Sequence, residues 1–168
     1  YKNEYERWRK TMKENTCCFT GHRPEKLLLP EHIIQDTLEQ EISIAISDGF
    51  TTFISGMARG VDLWAAKLVL QKKENHNQIK LICAIPYEGF EIRWSPYWKR
   101  TYRLVYEAAD ERKVFYPAFQ YDSFQVRNRW MIDKSTRVIA VCHCMRGGTY
   151  NTLEYARTQK VEIRLIQG

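Results

Sequence analysis

Apolar positions along this chain switch repeatedly between two periods. "TCCFTG" is a short continuous apolar run ending in glycine, and the stretch after it, "EHIIQDTLEQEISIAISDG", sets Ile34, Leu38, Ile42, Ala45 and Ile46 on one helical face before Gly49 stops the pattern. The unit then repeats. "TTFISG" reads as a second strand, and "VDLWAAKLVLQKK" as a helix that buries Val61, Trp64, Ala65, Leu68 and Val69 and leaves Lys67, Gln71 and Lys72 outside. "IKLICAIP", "RKVFY", "RVIAVC" and "VEIRLIQ" supply further strands. "YWKRTYRLVYEAAD", "SFQVRNRWMIDKS" capped by Ser123, and "NTLEYARTQ" supply the intervening helices. Strands alternating with helices of this length require right-handed crossovers and a sheet covered on both faces. The expected fold is α/β, a Rossmann-like three-layer sandwich with a mostly parallel sheet.

Ahead of this alternation, Tyr1, Tyr5, Trp8 and Met12 form a single stripe, so residues 1–15 read as an amphipathic N-terminal helix and residues 16–168 as the α/β domain. The helix could dock on the core or serve a homodimer. Composition adds little to this division: 168 residues with 44% hydrophobic content suit one core. No apolar run approaches the roughly 18 residues of a membrane span, so no membrane partner and a cytoplasmic location are expected. Cys17, Cys18, Cys83, Cys142 and Cys144 are odd in number and three lie in strand-like runs, which reads as buried reduced thiols. "CHC" at 142–144 lacks zinc spacing, and no metal site is expected. A net charge of +6 favours anionic ligands.

In a parallel sheet every strand-to-helix loop emerges at the carboxyl edge, where ligands bind. Here those loops are "TGHRPEK", "SGMARG", "PYEGFEIRWSPYW", the lead into "QVRNRW", and "HCMRGGTYNT". They would bring His22, Arg23, Arg59, Arg93, Arg127, Asn128 and Arg146 toward one rim, beside the amides of Gly21, Gly56, Gly60, Gly147 and Gly148. Helix amino termini approached by glycine bind phosphate through free N–H groups and the helix dipole, so the two glycine loops are the candidate phosphate cradles. Asp62 in a first helical turn suits the dipole with or without a ligand. Among the loop aromatics Tyr87, Phe90, Trp94, Tyr97 and Trp98, Trp94 is the candidate for stacking on a base. Asn151 followed by Glu154 fits a capping box, with a catalytic role for Glu154 as the competing reading.

"CCFTGHRPEKL", "FISGMARGVDLWAA", "RNRWMID" and "GGTYNTLEYA", in this order and spacing, resemble the YpsA-like family of the SLOG superfamily from about Cys17 onward. The resemblance implies a Rossmann-like fold. It also implies kinship with DNA-processing proteins, which carry a similar SG-x-A-x-G-x-D loop, and with the LOG phosphoribohydrolases. By that analogy Ser55, Gly56, Arg59, Gly60 and Asp62 line one side of a nucleotide pocket, and Gly147, Gly148, Thr149 and Thr152 the other. Against the phosphoribohydrolase loop P-G-G-x-G-T-x-x-E, Arg146 replaces proline and one extra residue precedes Glu154. The expected function is binding, in the manner of a sensor, of a nucleotide or ADP-ribose-type molecule, with no cofactor otherwise assigned. One alternative is an N-glycosidic or phosphoribosyl hydrolase in which Arg127 holds phosphate and Glu154 assists departure of the base. Another is single-stranded nucleic-acid binding through Lys99, Arg100 and Arg103 interleaved with Trp98 and Tyr102. The dispersed basic residues argue against nucleic acid as the partner.

Overall fold

The computed structural model describes residues 13–143 and 146–168. The amphipathic stripe of Tyr1, Tyr5, Trp8 and Met12, and Cys144, lie outside the described residues.

The alternation read from the sequence is present in full. β1 (Thr16–Gly21) leads through a single 3-10 turn (Pro24–Lys26) to α1 (Glu31–Ser47). β2 (Thr52–Ser55) precedes α2 (Val61–Lys73), and β3 (Lys80–Tyr87) precedes α3 (Pro96–Ala108). β4 (Glu111–Tyr116), α4 (Ser123–Asp133), β5 (Arg137–Val141), α5 (Gly148–Thr158) and β6 (Glu162–Ile166) complete the chain. The six strands form one sheet in the order β4-β3-β2-β1-β5-β6, and every pairing is parallel. The expected mostly parallel sheet is thus wholly parallel. Strands 1 to 4 step outward in one direction and β5 returns to the other side of β1, so strand order reverses between β1 and β5. Those two strands end level, Gly21 beside Val141.

Alternation along the strands splits the core into two layers. Cys17 and Phe19 of β1 join Phe53, Leu81, Cys83 and Ile85 beneath α1, α2 and α3, and Phe19 stacks on Phe53 with centroids 6.0 Å apart. Cys18, Ile54, Ala84, Val138 and Ala140 face the other way, against α4 and α5. Burial explains why these thiols stay protonated: Cys18 and Cys83 are each pushed up to about 12.

The helices bury different material. α1 buries Ile34, Leu38, Ile42 and Ala45 of the stripe its spacing predicted, with Ile46 only partly buried at its edge. α2 is buried around its whole first half, Val61 through Ala66. α4 and α5 are divided along their length: Met131 and Ile132, and Leu153 and Ala156, bury apolar surface toward the carboxyl ends, whereas Arg127, Thr149 and Thr152 bury polar atoms nearer the amino ends. That polar burial lies at the carboxyl edge of the sheet.

Two local expectations are corrected. Ser123 is the first residue of α4 rather than its cap; Asp122 holds the cap position without a capping side-chain bond, and the buried Ser123 hydroxyl has no hydrogen-bond partner among the described residues. α5 starts three residues ahead of Asn151, with Gly147 as N-cap at φ 94°, so the Asn151 N–H makes an ordinary helical bond to Gly147 O and no capping box forms. Glu154 pairs instead with Arg157 one turn on.

At the sheet's outer edge, Glu111, Arg112, Lys113 and Val114 of β4 are exposed. Arg112 donates from Nε to Tyr106 O and from Nη2 to Glu107 O at the end of α3, where a cation also meets the negative end of the helix dipole.

Candidate functional site

A cleft of about 370 Å³ opens over the ends of β1 and β5, at the reversal of strand order where parallel α/β sheets place their ligands. Its cationic lining comes from three segments: Arg23 and Lys26 after β1, Arg127 on α4, and Arg146 before α5. Among the described residues Asp62 is the one carboxyl in the lining. A second cavity of about 600 Å³ beside α3 is larger, but it sets Glu88, Glu91 and Glu107 against Lys99 and Arg103 and carries no excess of positive charge. The convergence of cations and helix amides places the candidate site in the first.

The two glycine loops differ in kind. In "SGMARG" the Ser55 hydroxyl donates to Asp62 O at 2.9 Å and accepts from the Met57 N–H at 3.2 Å, while the Ala58 N–H donates to Asp62 Oδ2 at 3.3 Å. Two of the loop's amides, those of Met57 and Ala58, are thus satisfied within it. Its glycines meet packing demands: a Cβ on Gly56 would lie 2.6 Å from both Arg127 Nη1 and Asp62 Oδ2, and Gly60, at φ 87°, sits against Pro24. Arg59 is drawn into an ion pair with Glu25 at 3.0 Å. Only Ala58 and Asp62 of this segment line the cleft.

The loop at 146–149 is open. Gly147 offers no side-chain cap, and the N–H groups of Gly148, Thr149 and Tyr150 precede the first intrahelical bond, which Asn151 makes. Gly147, Gly148 and Thr149 line the cleft, so these amides and the dipole of an 11-residue helix serve the same space as the cations.

Arg127 joins the segments. Its Nη1 donates to Gly56 O and its Nε to Asn128 Oδ1, while Asn128 Nδ2 donates to Thr152 Oγ1 at 3.0 Å and that hydroxyl to Gly148 O at 2.9 Å. The chain of bonds runs from the end of β2 through α4 to the first turn of α5. Buried as it is, Arg127 is held below its ordinary basicity by desolvation, opposed by the Asp62 carboxylate. Desolvation pushes Asp62 up to about 6, against the pull of Arg127 and of the Ala58 N–H. His22, edge-on to His143 at 4.9 Å, is held below its usual 6.5 by burial and then by the charges of His143 and Lys26.

The Asp62 shift predicts a pH signature. Because the folded carboxyl binds its proton more tightly than the unfolded one, stability is full below the ordinary carboxylate value and falls as pH rises through about 6. A shift of about two units corresponds to a loss of roughly 3 kcal/mol. Urea melts of wild type and Asp62→Asn between pH 4 and pH 7.5 should differ by that sloping component; parallel curves would show that Asp62 ionises normally.

The structure brings Gly21, His22, Arg23, Asp62, Arg127, Asn128, Gly147, Gly148 and Thr149 together in the cleft. Gly21 is there for packing: a Cβ would lie 2.6 Å from Val61. Ser55, Gly56, Arg59, Gly60 and Thr152 stand behind or beside the lining. Trp94 is half-buried and packs against Phe90 and Tyr102 at 4.8 and 5.9 Å, on the outside of the first core layer. Arg146 joins the cleft residues from the rim, and Phe19, Thr20, Lys26, Ala58 and Phe124 complete the lining without having been singled out. Phe124 was legible, since it precedes Arg127 by three residues and Asn128 by four and so shares their face of α4.

A Rossmann-like α/β domain with a cationic, glycine-lined cleft at its switch point is the class that fold and site define. The YpsA family model, described as the YspA SLOG family, matches residues 17–167, and the chain belongs to that family. The UPF0398 protein of Halalkalibacterium halodurans is 27% identical over 164 residues, covering 88% of this chain and 85% of the relative. Among solved structures, DNA processing protein A of Streptococcus pneumoniae superposes with a TM-score of 0.66 at 23% identity, over 94% of this chain and 52% of that one. The Helicobacter pylori counterpart, described for its single-stranded DNA binding mode, gives 0.66 at 17% identity, over 96% and 68%. The chain thus spans about half the length of the Streptococcus protein, and at these identities the likeness is one of fold. Among the described residues no helix is long and apolar enough to cross a membrane, and no group of three or more His, Cys, Asp or Glu is placed to hold a metal ion.

Proposed function

We propose that this protein binds a nucleotide, with its phosphate groups in the cleft over β1 and β5, and does so without turning it over. The observation that carries this reading is the uncapped first turn of α5 opening into a cleft lined by Arg23, Lys26, Arg127 and Arg146. Glu154 supports binding over hydrolysis: it is exposed, paired with Arg157, and absent from the lining of the cleft. Thermal shift tests the proposal. Nucleoside mono- and diphosphates and ADP-ribose should include a ligand that raises the melting temperature by roughly 5–10 °C at about 100 times its Kd, while unphosphorylated nucleosides leave it unchanged. Equal effects from nucleosides and nucleotides would overturn the phosphate assignment.

A second reading, single-stranded DNA, gains from the fold shared with the Helicobacter pylori protein and weakens the sequence-based expectation against nucleic acid. It would use the same cleft rather than α3, where Tyr102 is buried and Arg103 pairs with Glu107 at 2.7 Å. Strand binding through so few cations should weaken steeply between about 50 and 200 mM salt. Tight, salt-tolerant capture of an oligothymidine that displaces the mononucleotide would favour this second reading.

A further inference from the structure

Beside the cleft lies a smaller pocket of about 220 Å³ between the amino halves of α4 and α5, and the two share Phe124, Asn128 and Gly148. We propose that this pocket is a nucleobase subsite, taking the base of a nucleotide whose phosphate occupies the cleft; the inference rests on the phosphate reading above. The walls include aromatic rings, and the polar groups without a side-chain hydrogen bond among the described residues include two amides, which is the chemistry of base recognition.

Tyr121, in the segment between β4 and α4, is 99% exposed. Such a ring has both faces available to a planar ligand. Tyr155 is the opposite case: its hydroxyl donates to Asp133 Oδ1 at 2.8 Å and the Arg129 guanidinium lies 5.4 Å from its ring centre, which fixes it as a rigid wall. The amides in the lining divide by duty. Asn128 is consumed by Arg127 and Thr152, whereas Gln125 on α4 and Asn151 on α5 line the pocket from its two helices and make no side-chain hydrogen bond within the described residues. Each can donate and accept, as the edge of a base requires. The pocket and the cleft together fall within the volume range of ordinary small-molecule sites.

Calorimetric titration of AMP, GMP, CMP, UMP and ribose 5-phosphate into the wild type, Tyr121→Ala and Asn151→Ala tests the assignment. Both positions are exposed, so the variants should melt with the wild type. At least one nucleotide should bind wild type about 10-fold or more tighter than ribose 5-phosphate. That advantage should shrink about 5-fold or more in each variant, with ribose 5-phosphate affinity unmoved. Equal affinity for nucleotides and ribose 5-phosphate, or a nucleotide preference untouched by both substitutions, would overturn the base subsite and leave the phosphate site standing. Binding by none of the five compounds would overturn the base subsite, and failure of nucleoside diphosphates and ADP-ribose in the same titration would overturn the phosphate reading as well.

Discussion

Replacing Arg127 with leucine should destabilise the protein by about 3–5 kcal/mol at neutral pH, the scale for stripping one partner from a pair of buried charges. Asp62 would be left buried with its main favourable charge removed, and Gly56 O would lose its donor. The effect should be smaller near pH 5. There Asp62 is protonated in the fold and only the lost hydrogen bonds remain, at about 1–3 kcal/mol. Adding Asp62→Asn to the leucine variant should recover part of the stability at pH 7.5 and little at pH 5. Denaturant melts of the four proteins at the two pH values check this. A loss independent of pH and unrelieved by Asp62→Asn would mean that Arg127 acts through its hydrogen bonds alone.

The second large effect falls on binding and leaves the fold intact. Gly148→Asp should weaken nucleotide affinity by at least about 100-fold, since a carboxylate set against a bound anion costs several kcal/mol. A Cβ at Gly148 meets nothing within 4 Å, and an acidic residue in a first helical turn suits the dipole, so the unliganded protein should melt as wild type does. Gly148→Ala separates bulk from charge and should cost far less. Unchanged nucleotide affinity in the aspartate variant would leave the 146–149 loop as a turn and no more.

How much of this could be read from the sequence depended on how local each cause is. β1, β2 and β5 are buried on both faces and therefore appear as continuous apolar runs, and α1 shows its stripe because only one face packs. That the five loops gather at one edge followed from parallel topology. Which loop lies more open did not, because in "SGMARG" the amides of Met57 and Ala58 are taken up by Ser55 and Asp62 folding back on their own turn, a matter of three-dimensional reach. The start of α5 misled for a related reason. Asn151 and Glu154 carry capping spacing, yet Gly147 supplies the positive φ that starts the helix three residues sooner. Trp94 showed the limit of counting aromatics in a loop: a ring that could stack on a ligand instead packs against the core, away from the cleft lining. Tyr121, Gln125 and Asn151 carried no signal of a shared pocket, since it exists only once α4 packs against α5.

The charged border of β4 bears on how copies of this protein can assemble. An unpaired parallel strand is an open template, and two molecules could in principle merge their sheets through it. Here an incoming strand would meet Glu111, Arg112 and Lys113 in succession, and would have to compete with the bonds by which Arg112 fastens the border to α3. The sheet is thereby guarded against growth on that side, so two copies meeting at this border could not merge their sheets without first undoing the contacts that hold it to α3.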